Sequence, residues 1–327
     1  MVRVNGHMAL AALLALVVAA IPRPAHCQGP VGPLAPGFLE DRNGSLLDDD
    51  PALVLPETPM GWFAALSLEV VAPALKQYLQ GDVTLGADTV TVVAPRTDLA
   101  WTAAPRLEAG YRFGAGIGEL LVNYRPLAAE GRRDTVAPDG GPGRARTRLD
   151  FQLFILDYAS PEFSLCPLWD MKTFVGVCMP TFYFDNRVIG AQSSLRTSNQ
   201  YFGAGPHLGM EFWRKMPWHG LEAYARFDGM LTVGKNHQVY SASVPSPDGG
   251  QLEGEAGLRK VRESPSLRSA VGLSYVPPFI SSRRLRFDLG YAIERWWYVG
   301  QTSVDGFPTS RGEVTVQGLF VRGEWGY

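Results

Sequence analysis

Residues 285–294, LRFDLGYAIE, alternate apolar and polar side chains with a period of two. The apolar phase holds Leu285, Phe287, Leu289, Tyr291 and Ile293, and the other phase holds the charged Arg286, Asp288 and Glu294. In a β-strand, successive side chains point to opposite faces of the sheet. The stretch therefore predicts a strand with one apolar face and one charged face.

Similar segments follow one another from Trp62 to the final residue, and a helical period is almost absent. Ten strands are predicted, at 62–72, 104–113, 117–126, 146–158, 169–184, 199–213, 220–241, 264–277, 284–299 and 312–327. The segments 105–113 and 221–228 repeat the one-sided placement of charge. An additional hairpin around 89–93, TVTVV, leaves twelve strands as the alternative count.

The connections alternate between short and long. Predicted short turns lie at 114–116, 160–169, 216–220 and 277–284, and predicted long loops lie at 73–103, 127–145, 185–198, 242–263 and 300–311. Tight turns at one end and long loops at the other are typical of outer-membrane β-barrels. We therefore predict an all-β fold, a closed antiparallel up-and-down transmembrane barrel over 62–327, with periplasmic turns and outer loops.

The N-terminal residues 1–27 predict a signal peptide, because Arg3 precedes an apolar run that ends before a small-residue cleavage site. A membrane anchor and a lipoprotein site at Cys27 are the alternatives. Residues 28–61 are rich in Pro, Gly and Asp and predict a disordered lead-in. Of the 30 Lys and Arg, removal of 1–27 takes two, which leaves 28 against 32 acidic side chains. This balance predicts no nucleic-acid partner.

The charged phase of the strands is predicted to line the lumen. A soluble barrel would turn its charges outward instead. The predicted lumen network comprises Arg106, Glu108, Arg112, Arg125, Arg148, Asp150, Arg226, Asp228, Arg286, Asp288, Glu294, Arg322 and Glu324. Because ten strands enclose a narrow interior, these charges predict a structural ion-pair network, and a path for small polar solutes is the functional alternative.

Aromatic side chains cluster where the strands should cross the two membrane interfaces, as in the aromatic girdles of barrels. At the turn end lie Trp62, Trp169, Trp213, Trp218, Trp325 and Tyr327, and at the loop end lie Trp101, Phe182, Tyr183, Tyr201, Trp296, Trp297 and Tyr298. Arg295, beside Trp297, predicts either a contact with lipopolysaccharide phosphates or a side chain that reaches the interface. Outer-membrane lipid is thus a predicted partner.

Candidate catalytic residues are few. His237 with Asp185 is the one Asp–His pair that could serve a rim protease, and no serine elbow, zinc spacing or phosphate loop is present. We therefore predict no enzyme activity, no metal and no cofactor. Cys166 and Cys178 predict two free thiols, with a disulfide as the alternative, because an extended strand separates them.

Several stretches resemble porin-like barrels related to the Legionella major outer membrane protein, including planctomycete members. They are GWFAALSLEVV at 61–71, PRLEAGYRF at 105–113, LDYASPEFSLCPLWDMK at 156–172, FGAGPHLGMEFW at 202–213, FDLGYAIERWWYVG at 287–300 and GLFVRGEWGY at 318–327. The resemblance implies a bacterial outer-membrane location and porin-like passage of solutes. A non-conducting structural or adhesive barrel is the alternative, and an omptin-like rim protease is a further one.

The final strand ends on an aromatic residue. Leu319, Val321, Trp325 and Tyr327 share its apolar phase, with Arg322 and Glu324 opposite. This resembles the C-terminal signal read by the barrel-assembly machinery, which is therefore a predicted partner. The strand is expected to close the barrel against the strand that begins near Trp62. No particular oligomeric state is predicted.

Overall fold

A computed structural model describes residues 60–326, apart from 77–79, 86–87, 94–96, 115, 167, 219, 247–249, 278–284 and 301–311. The predicted signal peptide, nearly all of the lead-in and Tyr327 lie outside the described residues. Among the residues that are described, no helix is both long and apolar enough to cross a membrane.

Ten long antiparallel strands form a closed ring. They are β1 (Gly61–Lys76), β4 (Thr102–Phe113), β5 (Gly118–Val136), β6 (Pro142–Ala159), β8 (Trp169–Ile189), β9 (Ser194–Lys215), β10 (Leu221–Pro245), β11 (Gln251–Tyr275), β12 (Leu285–Trp296) and β13 (Glu313–Gly326). Consecutive ring strands pair with each other, β6 pairs with β8, and β1 pairs with β13. The predicted ten-stranded up-and-down barrel is confirmed.

The final strand closes the ring as expected. Phe63 of β1 faces Gly326 of β13 in the ladder, and Lys76 faces Glu313 at the other end. Both edges of the sheet are thereby paired, which removes the unpaired backbone groups that lipid cannot satisfy.

The strands reach further at the loop end than the sequence indicated. The predicted loop 127–145 is mostly ladder, with β5 and β6 paired out to Val136 and Pro142. The predicted loops at 185–198 and 242–263 are likewise continued strands joined by 190–193 and 246–250. These extensions lack the alternating pattern because backbone pairing continues past the point where one face meets lipid, so that neither face has to be apolar.

The connections at the turn end are tight where glycine permits them. Gly116 and Gly118 in the β4–β5 turn have φ of 69° and 111°, and Gly220 before β10 has φ of 76°. These values are costly for residues that carry a Cβ atom. The GAG segment is therefore a hairpin turn, as predicted. A short strand, β7 (Phe163–Cys166), pairs with the start of β8 in the connection after β6.

The extra hairpin exists, but it does not join the ring. β2 (Gln80–Leu85) and β3 (Asp88–Val93) form a separate two-stranded sheet. Val83, Leu85 and Val92 pack against Tyr240 and Ala242, on the inner face of the β10 extension. The twelve-stranded alternative is therefore wrong, and the hairpin instead contacts the inner wall near the loop-end mouth.

The two faces of the wall differ in exposure. On β1, Trp62 is 65 % exposed and Leu66 59 %, whereas Phe63 and Glu69 are each 3 % exposed. A band of exposed apolar side chains on the outer face is what lipid contact requires. Cys166 and Cys178 are both free thiols.

Candidate functional site: the barrel lumen

Inward-facing charges fill the half of the lumen nearest the turn end. We call this set the ionic layer, and its members are Glu69, Arg106, Glu108, Arg112, Glu119, Arg125, Lys172, Arg226, Asp228, Arg268, Asp288, Glu294, Arg322 and Glu324. They come from eight of the ten ring strands and lie at alternate positions, so that the two-residue period places them all on the inner face.

The upper part of the ionic layer joins four strands around Glu69. Arg268 Nη2 donates to Glu69 Oε1 at 2.8 Å, and Arg125 Nη1 donates to Glu69 Oε2 at 3.5 Å. Arg125 also donates to Glu294 through its second terminal nitrogen. Arg125 and Glu294 are 2 % and 1 % exposed, so each charge is compensated by a neighbouring strand rather than by water.

Arg322 is the centre of the lower part. Its terminal nitrogens donate to Asp288 at 2.9 Å, to Glu108 at 2.8 Å and to Glu324 at 2.6 Å. Arg112 continues the chain of contacts, since it donates to Glu324 on the other side. The sequence placed these five residues in the lumen, and the structure brings them together there.

A third part of the layer surrounds a buried histidine. His207 Nδ1 lies 2.7 Å from Asp157, and its Nε2 lies 3.2 Å from Asp228. Arg226 donates to Asp228 at 2.9 Å and to Glu211 at 2.8 Å. His207 is fully buried. Among the described residues, no group of three or more acidic, His or Cys side chains has the arrangement of a metal site.

Above the ionic layer, towards the loop end, the lumen is filled by apolar side chains. This apolar layer centres on Phe151, Phe182, Phe184, Tyr201 and Trp296, each 0 % exposed. The rings of Phe151 and Phe182 stack at 4.4 Å, and Trp296 meets Phe182 edge-on at 5.2 Å. Trp296 Nε1 donates to Glu294 at 2.6 Å, which joins the two layers.

Two predicted lumen charges lie elsewhere. Arg148 and Asp150 sit on the outward phase of β6, with side chains 51 % and 26 % exposed and an N–O distance of 2.8 Å between them. The inward phase holds Leu149 and Phe151 instead. The prediction failed because residues 153–156 are apolar on both phases, so that alternation there did not distinguish lumen from lipid.

Four predicted interface aromatics are also inside the barrel. Trp213 is 3 % exposed, and the guanidinium carbon of Arg286 lies 4.8 Å from the centroid of the Trp213 ring. Trp296, Phe182 and Tyr201 belong to the apolar layer. Their inward direction follows from strand phase, which composition near an interface does not reveal.

The remaining described aromatics face outward or lie at the ends of the wall. Trp62, Trp101, Trp218 and Trp325 are between 56 % and 67 % exposed. Trp297 is half-buried, and the guanidinium carbon of Arg295 lies 5.4 Å from the centroid of the Trp297 ring. The guanidinium carbon of Arg214 lies 5.7 Å from the centroid of the Trp169 ring. Arg295 donates to Glu313.

A cavity of about 200 Å³ opens at the turn end of the lumen. Arg112, Arg286, Glu222 and Glu324 contribute to its lining. Arg286 is ion-paired with Glu222 at 3.5 Å. The cavity is thus a polar vestibule, and above it the ionic layer and then the apolar layer occupy the interior.

A ring of ten paired strands with an apolar outer band is the architecture of a barrel that spans an outer membrane. The sequence of residues 63–327 matches the family model described as the Legionella pneumophila major outer membrane protein precursor. The chain belongs to this family. It is a protein of the bacterial outer membrane, as the resemblance implied.

Among solved structures, similar chains are also outer-membrane barrels. The outer membrane protease OmpT from Escherichia coli is 10 % identical over 84 % of this chain and 100 % of that chain, with a TM-score of 0.49. The Pseudomonas putida toluene transporter TodX is 7 % identical over 83 % of this chain and 91 % of that chain, with a TM-score of 0.30. The attachment invasion locus protein Ail of Yersinia pestis is 11 % identical over 81 % of this chain and 100 % of that chain, with a TM-score of 0.23. No curated protein matches the sequence.

The candidate Asp–His pair of a rim protease is separated in the barrel. Asp185 is on β8 and His237 on β10, with β9 between them, and in the ladders Asp185 faces Ser198 while His237 faces Gln200. The Asp185 carboxylate accepts hydrogen bonds from Arg187 at 2.6 Å and Arg196 at 2.8 Å. It is therefore engaged by arginines rather than by the histidine.

Proposed function

We propose that this chain is a non-conducting outer-membrane barrel, a structural protein of the envelope with a closed lumen. One observation carries the proposal: two consecutive layers, one apolar and one ionic, fill the interior between the turn-end vestibule and the loop-end mouth. The family resemblance implied porin-like passage of small polar solutes, and the filled interior supports the non-conducting structural alternative instead.

The apolar layer opposes passage of ions and polar solutes. Phe182 contacts four other rings, those of Phe151, Phe184, Tyr201 and Trp296, at centroid distances of 4.4 to 6.3 Å. An ion that crosses this level would exchange its hydration shell for aromatic carbon, which is strongly unfavourable.

The ionic layer opposes passage for a different reason. A permeating ion would have to displace a partner such as Glu294 from Arg125 or Asp288 from Arg322, and all of these side chains are at most 14 % exposed. Separation of a buried ion pair costs about 3–5 kcal/mol when nothing replaces the lost partner. Several such pairs lie in series along the lumen, so the barriers accumulate.

We also propose that the chain is not an enzyme. The support is the engagement of Asp185 by Arg187 and Arg196 and its separation from His237 by a whole strand. A general base needs hydrogen-bond reach to the group that orients it. A peptide-cleavage assay on the refolded protein is expected to show no activity.

Planar-bilayer recording tests the closed lumen directly. The protein is refolded, and a change in its gel migration on boiling shows that the barrel has folded. It is then added to a bilayer at low and at high salt. We expect no unitary current steps, while a general porin in the same chamber gives them. Reproducible ion-selective steps from the wild-type protein would refute the proposal and restore the porin-like function.

A further inference from the structure

Four arginines form a row across four adjacent strands on the outer face of the wall. Arg132 on β5 faces Arg146 on β6, Arg146 faces Arg187 on β8, and Arg187 faces Arg196 on β9. Their side chains are between 41 % and 64 % exposed. We call this set the arginine row.

The arginine row is electrostatically unusual. Like charges that face each other directly on neighbouring strands destabilise a sheet. Strands lie about 4.8 Å apart, so the row holds four positive groups within roughly 15 Å. Such a row persists where anions compensate it.

Two carboxylates supply part of the compensation. Glu130 accepts from Arg132 at 2.6 Å and from Arg146 at 2.5 Å, while Asp185 accepts from Arg187 and Arg196. Asp185 is only 9 % exposed, so its carboxylate lies beneath the guanidinium groups. Two negative charges against four positive ones leave a net charge of +2 at the surface of the row.

The location of the row relative to lipid identifies the class of anion. On β9, the outward side chain six residues nearer the turn end is Phe202, 55 % exposed, and Leu208 follows at 61 %. Tyr183 lies between the row and this apolar band, and its hydroxyl accepts from Arg196 at 3.1 Å. Amphipathic tyrosines mark the headgroup level, so the row lies at the loop-end headgroups, just beyond the hydrocarbon.

The geometry points to a binding surface for the phosphorylated headgroup of an outer-leaflet glycolipid. Guanidinium groups bind phosphate through two parallel N–H donors and are preferred for this purpose over ammonium groups. The carboxylates accept one N–H from each arginine of the row, and a guanidinium has five. A row that spans four strands fits a headgroup with more than one phosphate.

The test compares glycolipids that differ only in phosphate. Delipidated, refolded barrel in detergent is titrated with a bisphosphorylated lipid A-type glycolipid, with its dephosphorylated form and with phosphatidylglycerol, and bound lipid is counted by native mass spectrometry. We expect binding of the phosphorylated glycolipid to be tighter than that of either other lipid. Equal binding of the dephosphorylated form, or of phosphatidylglycerol, would overturn the proposal.

Paired substitutions locate the surface. The variant R187Q/R196Q is expected to weaken glycolipid binding by about tenfold or more, because loss of one charge-assisted hydrogen bond accounts for a factor of that size. The matched control K235Q/R259Q removes the same charge from exposed outward positions on β10 and β11 and is expected to bind like the wild type. Equal weakening by both pairs would indicate a general charge effect and overturn the assignment.

A second double variant tests the same surface if R187Q/R196Q does not fold. R187K/R196K keeps both charges and a partner for Asp185 but loses the planar two-donor geometry. We expect it to bind about threefold more weakly or worse, since a point charge replaces each fork. Wild-type affinity in this variant would contradict recognition by the arginine row. Folding of every variant is checked by heat-modifiable gel migration.

Discussion

Replacement of Phe182 by alanine tests the apolar layer. The Phe182 side chain is fully buried and contacts Phe151, Trp296 and Phe184 at ring-centroid distances of 4.4, 5.2 and 5.9 Å. Alanine would leave a cavity between rings that belong to different strands, and a well-paired ladder cannot collapse to fill it. Substitutions of this kind reduce the free energy of unfolding by about 3–5 kcal/mol.

The measurement is reversible folding into lipid vesicles, followed by tryptophan fluorescence in a urea titration. Phe202→Ala is the matched control, because Phe202 lies near Phe182 across the β8–β9 ladder but points outward, 55 % exposed to the lipid side. Lipid chains can occupy the space that the Phe202 ring leaves. The free energy of unfolding should therefore fall only by the transfer free energy of the lost apolar surface, about 1–2 kcal/mol. A loss for Phe182→Ala no greater than that of Phe202→Ala would refute a packed apolar layer.

Three further outcomes are expected. Glu294→Gln leaves the buried Arg125 without its closest carboxylate and should reduce the free energy of unfolding in the same urea assay by about 3 kcal/mol; an unchanged urea midpoint would contradict the pairing. Trp325→Ala removes an exposed outward ring near the end of β13 and, if the assembly machinery reads this strand, should reduce the heat-modifiable fraction in cells but not the stability of refolded protein. At the β5–β6 tip, Asp139 accepts the Gly141 N–H at 3.0 Å, which lowers the pKa of its carboxyl. The contact stabilises the tip fully at pH values above the ordinary Asp pKa of about 3.9. This stabilisation is lost as the pH falls through the lower pKa of Asp139 in the folded protein. An NMR titration of the Gly141 amide with a midpoint at the ordinary Asp pKa would contradict it.

The number of strands and the position of the charges could be predicted where one face is apolar and the other is charged. The segments 105–113 and 285–294 meet this condition, and their charged residues face the lumen, Arg286 at the vestibule and the others in the ionic layer. The two-residue period is a property of the extended backbone itself. Lipid on one side and a buried polar interior on the other then require unlike faces, so such a sequence admits a single orientation.

The interior of the loop-end half could not be predicted in this way. Residues 153–156 of β6 carry apolar side chains on both phases, and lipid and the apolar layer accept such side chains equally well. Only the pairing of β6 with β5 and β8 decides that Phe151 points inward and Arg148 outward. The same applies to Trp296, whose partner rings come from β6 and β8, far away in sequence.

The sequence by itself predicted an outer-membrane barrel of ten or twelve strands with charges in its lumen, and the pairing of the strands decided for ten. It did not determine that an apolar layer lies above the ionic layer in the lumen, that four arginines stand in one row, or that the β2–β3 hairpin packs against the inner wall near the mouth. Each of these depends on which residues face each other across separate strands, for example Arg146 and Arg187. Strand register and ring closure set those relationships, and both are properties of the tertiary structure.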